Sequence, residues 1–220
     1  IRFIAMENVS YKDFDILSEQ DKAEAVALIN RYDQLEKQSS CQSDFMNFIK
    51  HMWPDFIEGR HHKIIADKFN KIADGKLKRL IVCLPPRHSK SEFASTFFPA
   101  WMMGRRGDLK IIQTTHTAEL AVRFGRKVRN LIDSENYQHV FPDLQLQADN
   151  KSAGRWTSNQ EGEFFAAGVG GAITGRGADL LIIDDPHSEQ DALSPKSLES
   201  AYEWYTSGPR QRLQPGGIIV

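Results

Sequence analysis

Only two of the 220 residues are cysteine, Cys41 and Cys83. That is too few for a disulfide framework, and their spacing is not that of a zinc site, which suits a reducing compartment. No apolar run approaches membrane-spanning length, and the opening residues carry no basic-then-apolar leader pattern. Neither sign of charge dominates: 28 Lys and Arg face 29 Asp and Glu, for a net charge of −1. A generic nucleic-acid coat is thereby excluded, although a local basic face is not. Internal repeats and low-complexity stretches are also missing. What is there is ordinary for a globular protein, with 40% hydrophobic and 26% charged residues. The length suits one core of α/β type.

The chain opens at Ile1 and closes on Gly216-Gly217-Ile218-Ile219-Val220, which reads as a strand just beginning after a turn. A fragment of a longer polypeptide is the expectation.

The first third reads as helical. Ala25, Leu28, Ile29, Tyr32 and Leu35 recur at three- and four-residue spacing on one face, with Ser18 and Asp21 as a cap. A shorter segment runs from Phe45 to Trp53 and is closed by Pro54. Ile64, Ile65, Phe69 and Ile72 mark a further amphipathic helix, with Gly75 as its C-cap. We take residues 1–58 as an N-terminal helical segment and residues 59–220 as the core domain.

From residue 79 strands and helices alternate. Leu80–Leu84 is a short continuous apolar run, which predicts a strand buried on both faces, with Cys83 in the core. A helix over Lys90–Met103 follows, kinked by Pro99. Leu109–Thr114 predicts a second strand, and Leu120, Phe124, Val128 and Leu131 trace a second helix. Weaker strands are expected at Trp156-Thr157 and Glu163–Ala167. Leu180–Ile183 is the strongest strand, and Pro195–Tyr205 reads as helix. Strands separated by helical crossovers imply a mostly parallel sheet flanked by helices.

Three constellations carry chemistry. The first is Pro85-Pro86-Arg87-His88-Ser89-Lys90-Ser91, between an expected strand and a helix. There, backbone N–H groups and a helix N-terminus converge on a phosphate, a Lys reaches the β/γ oxygens and a hydroxyl holds Mg²⁺. Lys90 and Ser91 supply those side chains in order, but Leu84 and Ser89 stand where the usual pattern has glycine. The second is the apolar strand ending in Asp184-Asp185. In a nucleotide-hydrolysing site the first carboxylate holds the Mg²⁺ shell and the second orients or deprotonates the attacking water. Its bland counterpart is an Asp capping the turn before Pro186. The third is the run Gly168–Asp179, whose five glycines make a tight loop. Arg176 sits between two of them and can be thrown towards a phosphate as a charge-stabilising finger.

Together with Gly175-Arg176-Gly177-Ala178-Asp179 and Leu181-Ile182-Ile183-Asp184-Asp185-Pro186, the Pro85–Ser91 loop resembles that of the large terminase subunits of tailed double-stranded DNA phages. The similarity covers roughly residue 45 to the end. That family carries a degenerate phosphate loop, in which Ser89 replaces the usual glycine. The resemblance implies a P-loop NTPase domain that binds ATP and Mg²⁺ and drives double-stranded DNA into a capsid. It implies a ring, usually pentameric, working with a portal protein and a small terminase subunit in the host cytoplasm, with no membrane. By position, Pro86, Arg87, His88, Ser89, Lys90 and Ser91 would bind the phosphates, and Ser91 and Asp184 the Mg²⁺. Asp185, Arg176 and Arg87 would be catalytic, with Glu189 as the fallback carboxylate. A coupling Thr or Ser and a nuclease domain would lie beyond Val220, so nuclease activity is not expected in this stretch.

Other readings share these residues: a helicase-like nucleic-acid ATPase, a module that holds nucleotide without hydrolysing it, or a small-molecule kinase. The seven histidines are scattered along the chain, with no helical pair spaced for a metal.

Overall fold

A computed structural model describes residues 18–173 and 175–220; residues 1–17 of the expected helical segment, and Thr174 in the glycine-rich run, lie outside the described residues. The chain divides into two compact units at Ser39/Ser40. Helix α1 is Glu19–Ser43, and its start carries the expected cap: the Asp21 N–H donates to the Ser18 hydroxyl at 3.2 Å.

The second unit builds its core from aromatic side chains. Helices α2 (Phe45–Met52) and α3 (Arg60–Ala73) pack with a buried helix that follows the Pro85–Ser89 loop. Phe45 lies at the centre, with ring centroids of Phe69, Phe93 and Trp101 at 5.1, 5.6 and 5.4 Å, all edge-on. Such edge-to-face pairs suit the aromatic quadrupole. The boundary expected at residue 58 therefore falls inside this unit.

The helix after the loop starts at Lys90, passes through a π-helical turn at Glu92–Phe97 and continues as α4 (Phe98–Arg105). The distortion expected at Pro99 takes the form of this π turn. Pro99 has no N–H for the Ser95 carbonyl, and in an α-helix its ring would strike that carbonyl. The wider π turn just ahead of it accommodates both constraints, with the Phe98 N–H reaching back to Phe93 O.

Six strands follow: β1 (Lys110–Thr115), β2 (Leu146–Ser152), β3 (Arg155–Ser158), β4 (Glu163–Gly168), β5 (Ala178–Ile183) and β6 (Leu213–Ile219). Their order is β2-β3-β4-β1-β5-β6, with β4, β1, β5 and β6 mutually parallel and β2-β3-β4 antiparallel. The α/β reading with a mostly parallel sheet thus holds. Helices α5 (Ala118–Ile132), α6 (Glu135–Val140) and α7 (Pro195–Ser207) complete it. Alternate residues of each strand point to opposite faces. Ile111, Leu180 and Ile182 join the large core, while Ile112 and Leu181 pack with Trp204 and Tyr205 on the other side. Both faces of the central strands are covered, as parallel sheets require.

The stretch Leu80–Leu84 departs from expectation. It runs outside β6, tied to it by a single bridge at Arg79–Ile219 and by the Leu80 N–H to Ile219 O at 3.0 Å. Leu80, Val82 and Leu84 pack on the core, but Ile81 is 89% exposed and Cys83 is exposed as well. An edge position buries one face of an extended chain, so an apolar run there is half-buried rather than enclosed. Among the described residues, no helix is long and apolar enough to cross a membrane.

Candidate functional site

Parallel strands place their carboxyl ends at one edge of a sheet, and crevices there are where open α/β sheets bind ligands. β5 delivers Asp184 and Asp185 to that edge, and the helix that starts after the Pro85–Ser89 turn delivers Lys90. The Lys90 Nζ lies 2.5 Å from Asp185 Oδ1 and 3.8 Å from Asp184 Oδ1. Residues 95 positions apart in sequence are thus in direct contact. Ser91 follows Lys90 on the first helical turn, half-buried.

The two acids differ in setting. Asp184 is only 6% exposed. Its backbone N–H donates to Thr114 O at 2.9 Å, and its Oδ2 accepts from the Ser95 hydroxyl at 2.9 Å. Asp185 is exposed, with a backbone φ of 44° in the left-handed region, and its carbonyl accepts from the His116 N–H at 3.2 Å. Beside the three charges opens a cleft of about 450 Å³, walled by Leu80, Val82, Ala94, Ile183 and Tyr205. An apolar hollow with a few convergent charges at one end is the usual form of a small-ligand site.

Loop geometry explains why glycine is the usual residue in such a turn. Arg87 has φ 64° and Ser89 φ 60°. A left-handed conformation costs a non-glycine residue about 1–2 kcal/mol, so the loop without glycines is bent at that cost twice. The fold also brings His88 of the loop up to the adjacent pair His61-His62 at the start of α3. The His88 ring lies 5.4 Å from His61, the His61 ring 3.8 Å from His62, and His62 stacks on Phe93. His88 Nδ1 also sits 2.9 Å from Pro86 O. The Gly59 N–H donates to His62 Nδ1 at 2.9 Å, closing the start of α3. Burial, then the neighbouring His61, holds His62 below the usual imidazole range.

Divalent metal fits these residues only in one form. Among the described residues no cluster of three His, Cys, Asp or Glu side chains could hold an ion. Mg²⁺, however, is normally bound by one or two carboxylates, with substrate phosphates and waters completing its shell. Asp184 Oδ1, turned towards Lys90 while Oδ2 is bonded to Ser95, and the Ser91 hydroxyl are oxygen donors of that kind.

The remaining sequence candidates lie elsewhere. Pro86, Arg87 and His88 are exposed on the loop, and Glu189 is exposed outside the cleft. Arg176 precedes β5, at the opposite end of the sheet from Asp184. There it pairs with Glu163 at the start of β4 and covers the Phe165 ring at 4.1 Å. The glycine-rich run serves packing at Gly168, where a Cβ would come within 2.5 Å of the Ala118 nitrogen. Sequence reasoning missed Ser95 altogether. No family model matches this chain, and no curated protein matches it.

Proposed function

We propose that the second unit is a nucleotide-hydrolysing domain of P-loop type, and that it is the ATPase motor portion of a DNA-packaging terminase. The observation that carries the first part is the convergence of Lys90, from the start of the loop helix, with Asp184 and Asp185 at the end of β5. In this reading Lys90 and the loop N–H groups hold the β- and γ-phosphates of ATP, as charge-assisted donors. Ser91 and Asp184 hold Mg²⁺, which would neutralise charge on the phosphate oxygens. Asp185, exposed beside the phosphate position, orients and deprotonates the attacking water. Asp185 and the ATP phosphates would compete for the Lys90 ammonium.

Support for the second part is the sequence resemblance of the loop, the Gly175–Asp179 stretch and the Asp184-Asp185 strand. Double-stranded DNA, a portal protein, a small terminase subunit and further copies in a ring are the partners that follow from it. The test is Mg²⁺-dependent phosphate release from ATP, with and without double-stranded DNA. Release that needs Mg²⁺, rises with DNA and vanishes in Lys90→Ala supports the motor. Nucleotide binding without release favours the holding module, and release indifferent to DNA leaves only the ATPase.

A further inference from the structure

We propose that Ser95 is a positioning residue for Asp184, and that the π-helical turn around it serves to place its hydroxyl. The inference rests on the reading above, in which Asp184 faces a divalent cation. A carboxylate that is 6% exposed needs hydrogen-bond donors, because an unsatisfied charged oxygen carries its full desolvation cost. Asp184 meets that need unequally. Oδ2 accepts from the Ser95 hydroxyl at 2.9 Å, with both side chains buried. Oδ1 faces Lys90 at 3.8 Å, too far for a hydrogen bond and close enough for attraction.

Two anchors then fix the carboxylate plane. The Asp184 backbone is held to β1 through Thr114 O, and one oxygen is held to Ser95. The oxygen left over, Oδ1, is the one presented to the loop. A metal-binding carboxylate without such a partner can rotate about its last torsion, which is broad and weakly restrained. Ligands to metals are commonly oriented by outer hydrogen bonds of this kind.

The helix is shaped for the task. Lys90, Ser91 and Ser95 all belong to the element that starts at the loop, so a single rigid body holds the phosphate cation, a metal hydroxyl and the donor to Asp184. Ser95 lies inside the π turn, and its own carbonyl is the one that Pro99 cannot satisfy. Such π turns recur at functional sites. Phe93, Phe97 and Phe98 are buried around the turn and leave it no room to shift.

The experiment uses the full chain with Ser95→Ala, Ser95→Cys and Ser95→Thr. Cys fills the volume with only a weak donor, and Thr keeps the hydroxyl. Mg²⁺ is titrated against binding of a fluorescent ADP analogue, nucleotide affinity is measured again in chelator, and thermal unfolding reports the fold. Ser95→Ala and Ser95→Cys should raise the Mg²⁺ midpoint by about 10–100-fold, the usual effect of losing an outer partner. Their metal-free nucleotide affinity should be unchanged, and Ser95→Thr should keep a midpoint near wild type. A folded Ser95→Cys with an unmoved midpoint overturns the assignment, as does a loss of metal-free affinity equal to the loss with Mg²⁺. Wild-type binding that ignores Mg²⁺ overturns the site reading itself, and so is distinguishable from failure of Ser95 alone.

Discussion

Lys90 and Asp185 close on each other at 2.5 Å, with Asp184 behind them at 3.8 Å from the same ammonium. One cation therefore serves two carboxylates at the mouth of the cleft, and a phosphate entering the site must take the lysine from them. Lys90→Ala should abolish ATP hydrolysis and weaken nucleotide binding by at least about tenfold, since charge-assisted bonds are about twice as strong as neutral ones. Loss of the Asp185 pair, 63% exposed on the acid side, should cost only about 0–1 kcal/mol. Buried Asp184 also loses a facing cation, so thermal unfolding is measured alongside. Phosphate release and fluorescent-nucleotide titration check this. Unchanged turnover removes the phosphate-loop reading.

Asp184 and Asp185 should separate in their effects because their surroundings differ. Asp184→Ala should lose the Mg²⁺-dependent part of nucleotide affinity, and should also cost stability by leaving the Ser95 hydroxyl unpaired in the core. Asp185→Asn should bind nucleotide and fail to hydrolyse it, since only water activation is removed. Near-normal turnover in Asp185→Asn moves the search to Glu189.

Ser89 stands at φ 60° where the resembling family has glycine. Ser89→Gly relieves about 1–2 kcal/mol of left-handed strain and gives back about 0.4–1 kcal/mol through a freer unfolded chain. A net stabilisation of roughly 0.5–1 kcal/mol is expected from these two terms, read as a higher denaturation midpoint with unchanged slope. A destabilised Ser89→Gly would mean that the side chain, not the backbone, shapes the loop.

How much of this was legible in sequence depends on where each signal is stored. Asp184 and Asp185 were legible as candidates because an apolar run ending in acids is a local pattern, and Lys90 because a Lys-Ser at a helix start is local too. Ser95 was not: a serine among Phe93, Ala94 and Phe97 looks like any small core residue, and only the fold brings β5 to it. Pro99 was the available clue, since a proline inside an apolar helix demands some rearrangement one turn earlier. Edge or centre cannot be read from Leu80–Leu84 alone, because an apolar run does not say how many strands flank it. Strand β2 was missed for the opposite reason: Leu146–Ser152 is largely polar, lies at the outer edge of the sheet and alternates weakly. The approach of His88 to the adjacent pair His61-His62 belongs to the fold as well.

His62 should make stability fall in mild acid. Its imidazole is held neutral by burial and by His61, so its folded value lies below the ordinary 6.5. Between that lowered value and 6.5 the unfolded chain binds a proton that the folded chain does not, so stability falls as the pH drops below about 6.5. The His88 backbone and the Glu58 carboxylate oppose the shift, while His61 reinforces it. His62→Gln keeps an acceptor for the Gly59 N–H at the start of α3 but cannot titrate. Denaturant midpoints from pH 7.5 to 5.5 should fall less steeply in His62→Gln than in wild type; equal slopes assign the acid response to other groups.

Arg176 tests the ring. Its guanidinium is paired with Glu163 and lies over Phe165, far along β5 from the acids of its own subunit. Both partners are mostly buried, at 20% and 25% side-chain exposure, so Arg176→Ala should cost about 1–2 kcal/mol through the lost charged hydrogen bond and cation–π contact. Glu163→Ala also loses its 3.4 Å pair with Arg155 and should cost slightly more. The double variant should cost less than the sum, because both single changes remove the Arg176–Glu163 pair. The finger role makes a separate claim: on assembly the arginine leaves Glu163 for a neighbour's γ-phosphate. Then Glu163→Ala, which frees the arginine, should raise turnover per subunit at high protein concentration, while Arg176→Ala removes the rise. Fingers delivered in trans contribute about 10³–10⁵ in rate in the GTPases where they have been isolated. Mixing Arg176→Ala with Lys90→Ala should then restore part of the activity, because the second supplies an arginine to the intact site of the first. Co-assembled mixtures that stay inactive, together with a Glu163→Ala variant no faster than wild type, would confine Arg176 to clamping the start of β4 against the turn before β5.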